Sequence, residues 1–360
     1  MAALELGDRY LIVNFGAPRH ILTTAHPEGL VMASKVAIYQ VTDSDDLSRP
    51  ERFKEEVRRA LGLGGSDPVM LTAADVSKYR SAVEGNYGVV ATVGLSHPSC
   101  HDMRSTYVPL MPSTINIVAW VPDRLTASAM VDLLRVVAET KAAASADLML
   151  RCDGGRATGT VSDAIAVAAT LDPSGALWAG QATTVGSKVA SLVYRALVSE
   201  KPSREQVLSW ALGLSLEELV DDAMKLYRSA PVPGVAEGKV KEMVARELSR
   251  ILQDPNVWAF IVAARENDIR GQEGLLPGLG SDEFAADTKK VIADELLATA
   301  LSLYINGFKA LTATYWADAM KDRLGLKLAS LPMFEDDIAA SLAASALSRV
   351  YDRLLGEGHD

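Results

Sequence analysis

Val198-Ser199-Glu200-Lys201-Pro202-Ser203-Arg204-Glu205 is where the chain changes character. Before it, short apolar and β-branched runs alternate with glycine- and proline-rich turns. After Lys201-Pro202-Ser203 strand signals stop and helical periodicity takes over. The join reads as a boundary near 200–205, with an α/β (α+β) front domain over 1–202 and an all-α helical bundle over 203–360. At 360 residues the chain is long for a single core, which favours two.

Toward the N-terminus, Val185–Val198 reads as a helix and Ile165–Thr170 as a strand. Asp147–Arg151 is strand-like, and 125–146 is a helix with Thr126 as its N-cap. Ile115–Val121 and Tyr87–Gly94 are buried-strand runs, and 51–63 is helical with Phe53, Val57, Leu61 and Leu63 on one side. Tyr10–Phe15, Ile21–Thr24 and Ser34–Val41 are further strands, with a turn expected at Gly16-Ala17-Pro18-Arg19. Toward the C-terminus, helical patterns run at 203–213, 215–228, 236–253, 255–266, 283–314 and 335–355, with Gly/Pro joints at 230–234 and 274–280.

Net charge is −10, and the back carries more of it: 25 Asp and Glu against 18 Lys and Arg over 201–360. No basic footprint exists, which argues against nucleic acid as a partner. No basic region precedes an apolar stretch at the N-terminus, so no signal peptide is expected. The most apolar helical stretch, 291–313, is interrupted by Asp294, Glu295, Asn306 and Lys309, which argues against a membrane partner. Cys100 and Cys152 form no CxxC pair, and His97, Cys100 and His101 lack an obvious fourth metal ligand. A cytoplasmic, reduced protein acting on small molecules is the expectation, with homo-oligomerisation left open.

Gly155-Arg156-Ala157-Thr158-Gly159-Thr160-Val161-Ser162-Asp163-Ala164 is the strongest local feature of the front, in a segment that begins at Asp153-Gly154. Glycines expose backbone N–H groups, threonines add donors, and Asp163 supplies one carboxylate. Such a loop can hold a carbonyl or oxyanion while the carboxylate steers a water. The bland reading is an ordered turn in which Asp163 caps a backbone N–H.

Together with Thr114-Ile115-Asn116-Ile117, Glu139–Ala144, Trp178–Gly186, Pro18–Ala25 and Thr92–Ser96, this segment resembles the adenosylcobinamide amidohydrolase family over residues 8–200. The resemblance implies cleavage of the amide joining aminopropanol to the corrin, giving adenosylcobyric acid. It makes Asn116, Lys141, Thr158, Thr160 and Asp163 the candidates: Asp163 for water activation, Thr158 and Thr160 for oxyanion contact. Asn116 either holds a corrin amide or bonds neighbouring backbone, and Lys141 stands near a helix end. Ala182 occupies a place where a histidine is expected in relatives.

In the back, Asp294-Glu295 lies in a helix that is otherwise apolar, Asp318 follows, and Glu335-Asp336-Asp337 opens the last helix. Carboxylates inside an apolar-faced helix are seldom left without a partner, and several converging in a bundle can hold Mg²⁺ or Mn²⁺. A helix start also welcomes acids through its dipole. Lys309 and Lys321 could reach phosphate oxygens or lie solvated. With Asp254-Pro255-Asn256-Val257 and Tyr304–Phe308, these motifs are similar to the phosphatidylglycerophosphatase A superfamily over about 205–355. The resemblance implies metal ligands at Asp294, Glu295, Asp336 and Asp337, and a catalytic role for Asp318. Its archaeal soluble branch dephosphorylates α-ribazole 5′-phosphate. The alternatives are a corrinoid-binding module without turnover and a general Mg²⁺-dependent phosphatase.

Overall fold

In a computed structural model of the protein, residues 2–101, 114–152 and 155–356 are described. Asp153 and Gly154, quoted above, lie outside them. The chain divides into two compact units, Met1–Cys152 with Arg156–Lys201, and Asp153–Gly155 with Pro202–Asp360.

The first unit runs β1 (Ala3–Leu6), β2 (Tyr10–Thr23), β3 (Leu30–Gln40), α1 (Pro50–Ala60), β4 (Val69–Thr72), β5 (Arg80–Glu84), β6 (Tyr87–Val93), β7 (Pro98–Ser99) and β8 (Ile115–Leu125). It continues with α2 (Ala127–Asp147), β9 (Arg151–Cys152), β10 (Gly155–Arg156), β11 (Gly159–Thr160), β12 (Ala164–Leu171) and α3 (Thr184–Val198). The main sheet has the order β4-β3-β2-β12-β8-β6-β5, with β1 on β2. It is mixed: β12 lies parallel to β8 and β3 to β4, and the other pairs are antiparallel. The turn expected at Gly16–Arg19 is instead a bulge inside one strand. The β2–β3 register jumps from Asn14↔Lys35 to Arg19↔Ala33, and β3 goes on pairing on both sides of it. The strand expected at Asp147–Arg151 is mostly a turn: Asp147 ends α2, Leu148 and Met149 turn the chain, and only Arg151 is extended, at the start of β9.

Side chains alternate across the sheet. Ile115, Ile117, Ala119, Ile165 and Val167 pack under α2 and α3 against Leu133, Val137, Val189 and Leu192. Val118, Trp120, Ala166 and Ala168 point the other way, into a second core with Val36, Ile38 and Met70. The sheet curls around this second core. The Asn116 side-chain amide of β8 donates to the Leu71 carbonyl of β4 at 2.9 Å, although three strands separate the two in the sheet order.

The second unit contributes a helical C-terminal region: α4 (Arg204–Leu212), α5 (Leu216–Ser229), α6 (Glu237–Ile251), α7 (Pro255–Gln272), α8 (Ser281–Ala285), α9 (Ala293–Leu324) and α10 (Met333–Gly356). Capping boxes start α4 at Ser203/Gln206 and α5 at Ser215/Glu218. Buried Asp268 of α7 accepts the Phe334 and Glu335 amides, at 2.9 and 2.8 Å, and so caps α10. The small buried residues Ala339, Ala340, Ser341, Ala343 and Ala344 let α10 lie close to its neighbours.

The helix expected over 283–314 begins later and folds in the middle. Asn306 and Gly307 leave helical geometry, with Gly307 at φ +65°. The Ser302 hydroxyl meets that of Thr314 at 2.8 Å, whereas twelve residues of straight helix would hold them about 18 Å apart. α9 is therefore a hairpin of two arms. Ala293–Leu324 is long and apolar enough to cross a membrane by composition, but neither arm reaches the roughly 20 residues a span needs.

Candidate active sites

A cavity of about 210 Å³ opens in the first unit where β2, β3 and β4 end and β12 begins. Asp163 reaches its wall, with Thr114, Ser162 and Leu71; His26, Glu51 and Lys54 line it from the other side. The Asp163 carboxylate accepts the Ile115 amide at 2.8 Å, the Thr160 amide at 2.9 Å, the Thr160 hydroxyl and the Lys141 ammonium. A carboxylate has about four lone-pair sites, and all four are engaged. This arrangement differs from the expectation of a carboxylate free to activate water: Asp163 ties the loop to β8 and α2. Gly159 makes the grip feasible, since a Cβ there would lie 2.1 Å from Asp163 Oδ2 and 2.4 Å from Lys141 Nζ.

The other sequence candidates surround this knot. Lys141 is mostly buried rather than solvated. Asn116 is fully buried, and its bond to Leu71 braces the cavity wall; its Oδ1 is unpartnered, as is the Thr92 hydroxyl opposite it in the β6–β8 ladder. Thr160 is spent on Asp163, and exposed Thr158 lies outside the cavity with its amide on the Ser99 carbonyl at 2.8 Å. Cys100 and Cys152 are joined in a disulfide with Cα atoms 6.1 Å apart. Free thiols were expected, but the bond unites positions 52 residues apart that no spacing rule pairs. It clips the His97–Cys100 loop to the motif beside the β7–β11 ladder, and it removes Cys100 as a thiolate ligand.

In the second unit the α9 hairpin sets the start of one arm beside the end of the other, and the first turns of α10 lie against both. A small cavity there is lined by Glu295, Thr299, Tyr315, Asp318 and Asp337. Asp294 is buried, with Oδ1 unpartnered; burial and then the neighbouring Glu295 push its carboxyl up to about 7. Burial and the adjacent Asp336 push Asp337 up to about 8, and Asp318 and Asp294 add to it. Burial also raises Asp336, against the pull of Lys321. Lys321 lies 2.8 Å from Asp318 and 2.7 Å from Asp336. Burial alone would lower its ammonium, but the two carboxylates hold it above the ordinary lysine value. Among the described residues no three His, Cys, Asp or Glu side chains are drawn close enough together to hold a metal ion. The donor chemistry fits a hard divalent cation all the same. The donors are all oxygen, one is buried without a partner, and the mutual repulsion is relieved only in part by Lys321. Asp254 does not join them. It caps α7 and accepts the Tyr304 hydroxyl at 2.7 Å, next to the fold of the hairpin and thus at its far end.

Residues 3–203 match the adenosylcobinamide amidohydrolase family, which is more than half of the chain. The chain belongs to that family. It is 34% identical to an adenosylcobinamide amidohydrolase of Halobacterium salinarum over 180 residues, covering 46% of this chain and 74% of that protein. It is also 31% identical to an uncharacterized protein of Methanocaldococcus jannaschii over 121 residues, 32% of this chain and 87% of that one. Among solved structures it is similar to the low temperature requirement C protein of Listeria monocytogenes, with TM-score 0.35, 21% identity and coverage of 44% and 95%. Protein ypjQ of Bacillus subtilis gives TM-score 0.35, 19% identity and coverage of 43% and 96%.

The adenosylcobinamide amidohydrolase match takes in the whole cavity of the first unit and stops short of the acidic cluster. It also includes Trp178–Gly186, which the fold does not bring to Asp163. Ala176 bridges to Leu125 at the C-terminal end of β8, whereas Asp163 precedes the N-terminal end of the parallel β12. Ala182 therefore stands at the opposite end of the sheet from the cavity. The cavity residues that sequence reading missed are His26, Glu51 and Lys54. The one available signal was Lys54, placed between Phe53 and Val57 on the helix side that also carries Leu61.

Proposed function

We propose that the protein is a bifunctional hydrolase of cobalamin salvage. The first unit hydrolyses the aminopropanol amide of adenosylcobinamide to adenosylcobyric acid. The observation that carries this reading is the family match over residues 3–203, with a side-chain-lined cavity formed at its glycine-threonine motif. The second unit, an all-α bundle, dephosphorylates α-ribazole 5′-phosphate. Its support is the electrostatically linked carboxylates Asp294, Glu295, Asp318, Asp336 and Asp337 at the open end of the α9 hairpin, which would hold Mg²⁺ or Mn²⁺ on drawing closer together. When bound, such an ion neutralises phosphate charge and lowers the pKa of a bound water. The chain's own part is to gather the carboxylates through the Asn306–Gly307 fold and to hold Lys321, a cation suited to phosphate oxygens, beside them.

The test uses the full-length protein with both substrates, following aminopropanol and phosphate separately. Chelation with EDTA should stop phosphate release and leave aminopropanol release intact. Asp294→Asn or Asp337→Asn should do the same. Tight adenosylcobinamide binding with no aminopropanol released would favour a corrinoid-binding module instead. Equal turnover of unrelated phosphate esters would favour a general Mg²⁺-dependent phosphatase.

A further inference from the structure

Asp163 has no lone pair left for proton transfer, so the groups that cut the amide must come from elsewhere on the cavity. Opposite it stand three residues that no family motif quoted above contains. Lys54 is 9% exposed and makes one hydrogen bond, Nζ to the His26 carbonyl at 2.5 Å; among the described residues it forms no ion pair. An ammonium carries three donors, so two remain for a ligand. Its burial pushes its pKa down, and the charge of Glu51 offsets that only in part. His26 follows Ala25 at the end of β2, and its Nε2 is 2.9 Å from Glu51 Oε1. With the proton on Nε2 donated to Glu51, Nδ1 is left as a base, and the exposed ring can meet water. A base, a carboxylate that orients it and a buried cation on one cavity form the constellation that acyl transfer needs.

We propose that Lys54 and His26 are the catalytic residues of amide hydrolysis in the first unit, and that Glu51 positions His26. This rests on the reading of that unit as an amidohydrolase. His26 Nδ1 takes a proton from water as the water oxygen bonds to the amide carbon. The carbonyl electron pair moves onto oxygen, where Lys54 faces the charge. The pair then returns, the C–N bond breaks, and the proton on His26 passes to the departing nitrogen. The acid proton follows it, so a carboxylate and an ammonium leave. The cavity also limits what enters. At about 210 Å³ it falls below the roughly 300–1,000 Å³ of pockets that enclose a drug-sized ligand, so it takes the amide arm with its aminopropanol and leaves the macrocycle outside.

The experiment measures aminopropanol release by the full-length protein, and adenosylcobinamide binding through the corrin absorbance. Lys54→Met should lower kcat about 10²–10³-fold with KM changed only a few-fold, as for loss of an oxyanion donor. His26→Gln should lower kcat about 10²–10⁴-fold, with partial recovery on adding imidazole. Glu51→Gln should cost less, about tenfold, and in kcat rather than KM. Should Lys54→Met fail to fold by circular dichroism, His26→Gln, at an exposed position, decides alone. Active wild type with His26→Gln or folded Lys54→Met within threefold in kcat overturns this assignment and leaves the proposed function standing. Wild type that releases no aminopropanol overturns the proposed function and this assignment with it.

Discussion

Asp163→Asn separates a holding role from a chemical one. The wild-type carboxylate accepts from the Ile115 amide, the Thr160 amide, the Thr160 hydroxyl and the Lys141 ammonium. An asparagine keeps one oxygen. If its NH₂ takes the Oδ2 place it confronts the Thr160 amide and Lys141, donor against donor. If it takes the Oδ1 place it confronts the Ile115 amide, and the remaining oxygen is neutral. Either way the Lys141 side chain, 14% exposed, loses its counter-charge. Breaking a buried pair by removing one partner costs about 3–5 kcal/mol, and the residual exposure places this case near 3 kcal/mol. Adding Lys141→Met removes the stranded cation, so the double variant should be more stable than Asp163→Asn alone, by about 1–2 kcal/mol. Peptide-resolved hydrogen exchange over the segments containing Ile115 and Thr160 reads this locally, without mixing in the second unit. The reasoning is refuted if Asp163→Asn keeps wild-type protection, within about 1 kcal/mol, while aminopropanol release disappears. That pattern would make Asp163 a proton-transfer group after all.

The acidic cluster predicts an uncommon pH trend. In metal-free protein Asp294 and Asp337 keep their protons up to about 7 and about 8 when folded, whereas unfolded carboxyls release them near 4. Between those values the folded state binds more protons, so their contribution is full below about pH 4 and is lost as pH rises through 7 to 8. The urea midpoint of the 222 nm signal should therefore fall over this range more steeply in wild type than in Asp337→Asn, and added Mg²⁺ should reverse the fall; parallel slopes would sink the idea. Protein unfolded without reductant should show no thiol to Ellman's reagent and two after reduction. Reduction should destabilise the first unit by about 4 kcal/mol for a closed loop spanning 52 residues. Two thiols before reduction would contradict the bridge. Gly307→Ala meets no atom within 4 Å but sits at φ +65° and ψ −150°, so it should cost about 1–3 kcal/mol through backbone strain alone. An unchanged midpoint would deny the hairpin.

What could be read from sequence and what could not divides along the range of the interaction. Ile115, Ile117 and Ala119 alternate with Val118 and Trp120, so strand β8 declares itself within seven residues. The Asp163 knot does not, because the donors that redefine its role arrive from Ile115 and Lys141, 48 and 22 residues away. Lys54 was passed over for a related reason: a lysine on a helix is ordinarily solvated, and it takes the His26 carbonyl, 28 residues away, to hold this one inward. The acidic cluster is the instructive intermediate. Its members were expected to converge in a bundle, yet the turn that brings those of α9 together was read as part of one continuous helix over 283–314. Asn306 stands twelve residues after Asp294 and twelve before Asp318. If the chain turns there, the two arms run antiparallel and those carboxylates return to the same end of the hairpin; if it continues straight, they lie about 36 Å apart. The hydroxyl contact of Ser302 with Thr314, four residues before Asn306 and eight after it, decides for the hairpin. The spacing of Asp294 and Asp318 about Asn306-Gly307, with the Ser302–Thr314 contact that shows the turn, is therefore the strongest argument that the carboxylates of α9 act together.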